Sequence, residues 1–133
     1  MKEQLISFET AKLAKEKGFN IPTRNFYADF TWKSIEVYSC IEVGYNEFTD
    51  SMENNHGFGD ITLIPTQSLL QKWLREVHNI HVIPIPYNIS SKEIVYRNRI
   101  VYFEDNMEQN KYIGLGIFEQ SLEIGLQEAL KLI

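Results

Sequence analysis

The sequence predicts an α+β protein with a mainly antiparallel sheet of five to six strands and three helices, in the order α-β-β-β-α-β-β-β-α. Three stretches repeat apolar residues at helical spacing, and the segments between them alternate apolar and polar residues with a period of two. The chain has 133 residues, of which 44% are apolar. This is enough for one hydrophobic core, so we expect a single domain spanning residues 1–133.

The first helix is expected to begin after Ser7, whose hydroxyl can accept a hydrogen bond from the backbone N–H of Thr10. Gly18 stands where a left-handed residue ends many helices, and Phe19 can then fold back onto the last turn. Pro22 prevents the helix from resuming nearby because it has no backbone N–H.

Residues 26–43 alternate apolar and polar side chains, for which the simplest interpretation is two antiparallel strands joined near residues 33–34. A bent single strand is the alternative. The stretch 46–60 that follows, NEFTDSMENNHGFGD, is polar and turn-rich. Loops of this length are usually functional or mobile. Residues 61–64 form a short apolar segment that predicts a third strand.

The second helix has the strongest periodicity in the chain. Thr66 suits its N-cap and Asn79 its left-handed end. The predicted core-facing residues are Leu69, Leu70, Trp73, Leu74 and Val77, and the polar face carries Ser68, Gln71, Lys72, Arg75 and Glu76.

Three strands are predicted to follow as a meander. Residues 80–87 form the first, and Pro84 and Pro86 place it at a sheet edge or at a bulge because proline cannot donate to a ladder. Residues 88–92 are expected to turn, residues 93–104 to form a long strand, residues 105–110 to turn again and residues 111–115 to form the last strand.

The last helix is predicted over residues 118–132, with one apolar stripe formed by Phe118, Leu122, Gly125, Leu126, Ala129 and Ile133. A glycine inside a helix costs about 1 kcal/mol relative to alanine. Because Gly125 lies on the stripe, we expect the helix backbone to approach the sheet closely there. Ile124 points away from the stripe and is expected to be exposed.

The charge distribution bears on possible partners. The net charge of −5 opposes binding to a polyanion, since phosphate neutralisation supplies most nucleic-acid affinity. Residues 66–103 nevertheless carry five positive and two negative side chains. The five cations would form a basic patch if they shared one face, although ordinary solvated charge is the favoured interpretation; they are Lys72, Arg75, Lys92, Arg97 and Arg99.

No motif predicts a catalytic, cofactor-binding or metal-binding residue. His78 and His81 form an H-x-x-H pair that lacks further ligands at a recognisable spacing, and His56 lies in the long loop. Cys40 lies within a strand pattern without a neighbouring base. As the single cysteine it indicates a reducing compartment, so we predict a cytoplasmic protein. The apolar runs are far shorter than a membrane span requires.

Three stretches resemble a family of short uncharacterised proteins from gut Bacteroidetes and their prophages or other mobile elements: LISFETAKLAKEKGF, PTQSLLQKWLREVHNI and FEQSLEIGLQEALKLI. The chain departs from the family pattern at Ile117-Phe118, where the family tends to have Ser-Tyr, and at Ile124, where it tends to have alanine. The resemblance implies a bacterial or phage origin and an accessory role in the cytosol, and it carries no catalytic residue over.

We therefore predict a non-catalytic accessory protein that acts through protein–protein contacts, with either an unknown protein partner or a weak homo-oligomer. Self-association would use Ile124 and the edge strand 80–87. The alternatives are a small-ligand-binding protein or enzyme with a pocket near loop 46–60, and a nucleic-acid-binding accessory protein. The candidate partner-binding residues are Ile124, Gln71, Lys72, Arg75, Arg97 and Arg99.

Overall fold

A computed structural model describes residues 3–30, 33–39 and 60–133 of the chain. These residues form three helices and six strands in the predicted α-β-β-β-α-β-β-β-α order, which confirms the α+β class. The strands form two antiparallel three-stranded sheets rather than one. They belong to two compact units: an N-terminal unit, Ser7–Pro65, and a C-terminal unit made of Met1–Ile6 and Thr66–Ile133. Cys40, His56 and all of the predicted loop except Asp60 lie outside the described residues.

Helix α1 of the N-terminal unit spans Phe8–Glu16 and has both predicted ends. The Thr10 N–H donates to the Ser7 hydroxyl at 3.2 Å. At the other end, Gly18 is left-handed with φ 94°, and the N–H of Phe19 donates to the carbonyl of Ala14 at 2.9 Å. This is the hydrogen-bond pattern of a Schellman end.

The sheet of the N-terminal unit contains β1 (Asn25–Phe30), β2 (Lys33–Ser39) and β3 (Asp60–Ile64) in the order β2-β1-β3. The ring of Phe8 on α1 meets that of Tyr27 on β1 edge to face, with centroids 4.9 Å apart. Among the side chains of this unit that the structure describes, the buried apolar ones include Ala11, Ala14, Phe19, Phe26, Leu63 and Ile64.

Helix α2 of the C-terminal unit spans Gln67–His78. Its ends match the prediction, because the Thr66 hydroxyl accepts from the Leu69 N–H and Asn79 is left-handed with φ 54°. Leu70, Trp73 and Leu74 are buried as expected. The assignment of Val77 to the core-facing stripe was wrong, since this residue, one position before the helix ends, is 61% exposed.

The sheet of this unit contains β4 (His81–Ser90), β5 (Glu93–Glu104) and β6 (Met107–Gly116) in the order β4-β5-β6, with β4 at an edge as its prolines predict. Both predicted turns were too long. The first contains only residues 91–92, because β4 continues to Ser90. The second contains only Asp105 and Asn106, whose φ values of 53° and 63° suit a two-residue hairpin turn.

Helix α3 spans Phe118–Leu130 and packs on this sheet. Its buried residues are Ser121, Leu122, Gly125, Leu126, Ala129 and Leu130. The ends of the predicted stripe were wrong, because 41% of Phe118 and 37% of Ile133 are exposed. Its N-cap, Ile117, makes no side-chain hydrogen bond to the helix.

The close approach predicted at Gly125 is confirmed. A β-carbon placed on Gly125 would lie 2.7 Å from Cγ of Asn98, which is fully buried on β5. The Asn98 amide nitrogen donates to the Oγ of Ser121 at 3.0 Å, to the Ser121 carbonyl, and to the Ile113 carbonyl at 3.3 Å. One buried amide thus joins α3, β5 and β6 where the helix touches the sheet.

Candidate binding surface

The described residues contain no group of three or more His, Cys, Asp or Glu side chains that could hold a metal ion. His78 is at the end of α2, where its ring packs edge to face on Trp73 with centroids 4.6 Å apart. The Nε2 of His81 lies 3.0 Å from the Oδ1 of Asn79. The two histidines therefore make separate local contacts. None of the helices described is long and apolar enough to cross a membrane.

The candidate residues on α2 have different surroundings. Gln71 connects α2 to β4, because its amide nitrogen donates to the carbonyl of Val82 at 2.6 Å. Lys72 and Glu76 are exposed, and the Nζ of Lys72 lies 3.9 Å from the Oε1 of Glu76. Arg75 is also exposed. Gln67, which no sequence signal predicted to be a binding residue, is buried, and its amide nitrogen donates to the carbonyl of Glu119 at 2.9 Å, which joins α2 to α3.

The two candidate arginines lie on the sheet face opposite α3. Side chains alternate between faces along a strand, so Arg97 and Arg99 point away from the helix that covers Asn98. The Arg97 guanidinium lies 5.9 Å from the centre of the Tyr112 ring, within cation–π range. The Nε of Arg99 donates to the Oδ1 of Asn110 at 2.6 Å. Both arginines therefore link β5 to β6.

The cations thus occupy two surfaces. Helix α2 contacts α3 and β4, and α3 covers the face of the sheet that carries Asn98. Lys72 and Arg75 are on the exposed side of α2, whereas Arg97 and Arg99 are on the opposite sheet face. The structure therefore brings the arginines of β5 together but does not join them to the cations of α2.

Large apolar side chains surround these arginines. We call this side of the sheet the outer face and define it by the exposed residues Ile83, Tyr87, Arg97, Phe103 and Tyr112 together with Arg99. Ile83 lies opposite Arg99 on β4, and Tyr112 lies opposite it on β6. The exposed fractions are 42% for Ile83, 43% for Tyr87, 51% for Phe103 and 47% for Tyr112, while Val101 between them is buried.

Strands β4 and β5 continue as a two-stranded arm beyond the end of β6. Strand β6 ends at Gly116, opposite Tyr96, but β4 and β5 continue pairing as far as Ser90 and Glu93. Ile89 and Ile94 in this arm are each about three-fifths exposed. Ile94 has the same parity on β5 as Asn98 and therefore belongs to the helix-bearing face, not to the outer face. Within the described residues, no third strand pairs with β5 along this arm.

The helix-bearing face has a different electrostatic pattern. Lys111 on β6 donates to Glu128 on α3 at 2.8 Å, and Lys131 donates to the other oxygen of that carboxylate at 3.0 Å. These hydrogen bonds, mainly that from Lys111, hold the pKa of Glu128 below its usual value. The hydrogen bond to Glu128 likewise raises the pKa of Lys111. The ion pairs thus connect helix and sheet and leave the outer face untouched.

No sequence pattern predicts that Ile83, Tyr87, Phe103 and Tyr112 form one surface. They belong to three strands and become neighbours only through the register. The mixture of aromatic residues and arginines in YRNRIVYF was the local signal, and half of those residues point to the covered face. Ile124 is 39% exposed on α3, as expected, and is not part of the outer face.

Searches against known protein families, curated proteins and solved structures find no match. The functional interpretation therefore depends on the geometry of the C-terminal unit.

Proposed function

We propose that this chain is a protein-binding module and that its outer face binds an extended segment of a partner protein that carries acidic and apolar side chains. The observation that supports this proposal is an exposed sheet face on which aromatic and aliphatic side chains surround two arginines. Aromatic residues and arginine are enriched at protein interfaces and supply most of their energetic hot spots.

Charge complementarity favours an acidic segment. On the outer face, Arg97 and Arg99 lie opposite Ile85 and Ile83 on β4 and next to Tyr112 on β6. Glu108 lies further along β6, opposite Phe103. A carboxylate placed over Tyr112 would meet the Arg97 guanidinium already stacked there, and charge-assisted hydrogen bonds of this kind are roughly twice as strong as neutral ones.

Nucleic acid fits this surface less well. Bases can stack on exposed aromatic rings, as they do on RNA-binding sheets. However, affinity for nucleic acid depends on the number of phosphates neutralised, and the other two candidate cations lie on α2. Binding to single-stranded nucleic acid would therefore be weak and strongly salt-dependent.

The accessory role and the cytoplasmic setting belong to the same proposal. A binding module needs no catalytic residue, and the resemblance of its helices suggests a bacterial or phage system in which such modules act on other proteins. The single cysteine supports a reducing compartment.

The test is selection from a displayed library of random peptides on the immobilised chain, at physiological salt. We expect enriched sequences that place Asp or Glu beside aromatic or aliphatic residues. Synthetic versions should lose at least tenfold in affinity for Arg97→Glu and for Tyr112→Ser. Lys72→Glu is the matched control because it reverses a cation on α2, and it should bind normally.

Three outcomes would overturn the proposal. Selected peptides could bind the Arg97→Glu and wild-type chains equally, or the library could yield no enriched sequence. An oligonucleotide could also bind the outer face more tightly than any selected peptide at the same salt concentration, which would identify nucleic acid as the ligand.

A further inference from the structure

The hairpin between β5 and β6 determines which backbone groups of the sheet are free. Glu104 pairs with Met107 across the two-residue turn, so even-numbered residues of β5 direct their N–H and C=O groups toward β6. Odd-numbered residues of β5 therefore face β4. By the same alternation, even-numbered residues of β4 up to Asn88 and of β6 up to Tyr112 face the two edges of the sheet with which no described strand pairs.

The free edge of β4 lacks hydrogen-bond donors. Pro84 and Pro86 are even-numbered, so the positions without an N–H face outward and the ladder with β5 remains intact. The Val82 carbonyl, on the same edge, accepts from Gln71. An incoming strand would find few donors along this part of β4.

The free edge of β6 has the opposite character. Glu108, Asn110 and Tyr112 direct both N–H and C=O outward, and their side chains are exposed. Within the described residues, β6 is an edge strand with β5 as its only neighbour. Unpaired edges of this kind readily accept another strand.

We propose that two copies of this chain pair through β6, antiparallel about a two-fold axis at Asn110, to form a continuous six-stranded sheet. This register pairs residues 107–113 of both copies and makes Asn110 face its own symmetry mate. Glu108 of each copy faces Tyr112 of the other, and Gln109 faces Lys111. An isologous contact of this kind is the usual geometry of a homodimer.

Charge complementarity favours a second copy of the chain as the partner that pairs with the β6 edge. The Arg97 guanidinium lies over the Tyr112 ring, so Glu108 of one copy would approach the Arg97 of the other. A two-fold axis at Glu108 would instead oppose two carboxylates, and one at Lys111 would oppose two ammonium groups. An axis at Tyr112 would place Asn110 opposite Gly114, where the strand is irregular with φ 82°.

This dimer does not depend on the peptide partner proposed above. The sequence predicted self-association through β4, whose prolines face the edge of the sheet, whereas the proposed dimer uses β6. Joining two copies at β6 would also place the two outer faces side by side on one extended sheet.

Sedimentation over a concentration series of the full chain tests the pairing. We expect a concentration-dependent dimer that Asn110→Pro weakens at least tenfold, because this change removes an N–H from the free edge. Asn110→Ala is the control, since it loses the same side chain but keeps the N–H. A chain that remains monomeric, or a dimer weakened equally by both substitutions, would overturn the proposal.

A charge exchange provides a second test that does not involve proline. Glu108→Arg and Arg97→Glu should each weaken the homodimer at least tenfold, and mixing the two variants should restore a heterodimer because both contacts are then complementary. A mixture that associates no better than its components would contradict the register. Retained peptide binding by Asn110→Pro separates failure of the dimer from failure of the proposed function.

Discussion

The two faces of the C-terminal sheet differ in how strictly they constrain their residues. On the helix-bearing face, Asn98 is buried and touches Gly125 so closely that no β-carbon fits between them. On the outer face, one position along the strand, Arg97 is exposed and stacks on an exposed ring. Adjacent residues of β5 therefore serve different purposes: one specifies the packing of the fold, and the other is available to a partner.

The polar contact on the covered face has an energetic cost as well as a benefit. The Asn98 amide nitrogen has three acceptors, but its oxygen is buried without a hydrogen-bond partner within the described part of the chain. An unmade buried hydrogen bond costs about 1–3 kcal/mol. The three hydrogen bonds of the amide nitrogen must offset this cost. Substitution of Asn98 is therefore the strongest test of the difference between the two faces of the sheet.

Removing the amide should have the largest effect. Asn98→Ala abolishes the hydrogen bonds to Ser121 and Ile113 and leaves a cavity under α3, so we expect a loss of about 2–3 kcal/mol in the free energy of unfolding. Denaturant titration measures it. The neighbouring Arg97→Ala is the matched control on the other face and should cost far less. Equal losses would mean that the two faces do not differ as described.

Filling the contact from the helix side should have the next largest effect. Gly125→Ala would gain about 1 kcal/mol in helix propensity, but the added β-carbon overlaps Asn98, and overpacking costs about 1–3 kcal/mol. We expect net destabilisation by thermal or denaturant unfolding. Gly116→Ala is the control, because its β-carbon would lie 3.5 Å from the nearest atom.

The same pair gives a double-mutant cycle. In the Asn98→Ala background, the space beside Gly125 is vacated, so Gly125→Ala should become neutral or stabilising. Strictly additive effects would show that the clash does not determine the cost.

The ion pair on the covered face predicts a smaller, pH-dependent effect. The folded state holds the pKa of Glu128 below its usual 4.5, so the carboxylate stabilises the fold above that value. This contribution is lost as the pH falls through the lowered pKa. In the Glu128→Gln variant, the free energy of unfolding should therefore decrease less steeply as the pH is lowered. Denaturant titration over a pH series measures it, and the same pH dependence in the variant and in the wild-type chain would contradict this expectation.

The smallest effect is expected on the outer face. Phe103→Thr replaces one residue that favours strands with another and should change the free energy of unfolding by no more than about 0.5 kcal/mol. Ile100→Thr, on the same strand but fully buried, should cost several times more. Chemical denaturation of both variants measures the ratio, and similar values would show that Phe103 belongs to the core.

Local signals predicted much of the fold. The ends of α1 and α2 followed from Ser7, Gly18, Thr66 and Asn79, because caps depend on a few adjacent residues. Gly125 predicted a close approach of helix and sheet. The turn lengths were wrong because polar composition does not show that a strand partner continues to satisfy the backbone, as β5 does for β4 as far as Ser90.

The candidate surface could not be predicted in the same way. Arg97 and Tyr112 are neighbours only because β5 and β6 pair in one particular register, and that register includes an irregularity near Gly114. Helical periodicity likewise placed Val77 in the core, although this residue, next to the last residue of the helix, is exposed. Tertiary pairing, which no short window of sequence contains, decided both cases.

The prolines of β4 also bear on aggregation. A sheet with two open edges can add strands at both sides, and repeated addition produces a fibril. Pro84 and Pro86 interrupt the donors on one side of this sheet, so pairing at β6 uses up the edge that remains open and growth stops after one addition. Replacing both prolines would restore N–H donors on the β4 edge. Strands could then add at both edges of the sheet, and assembly would no longer stop at the dimer.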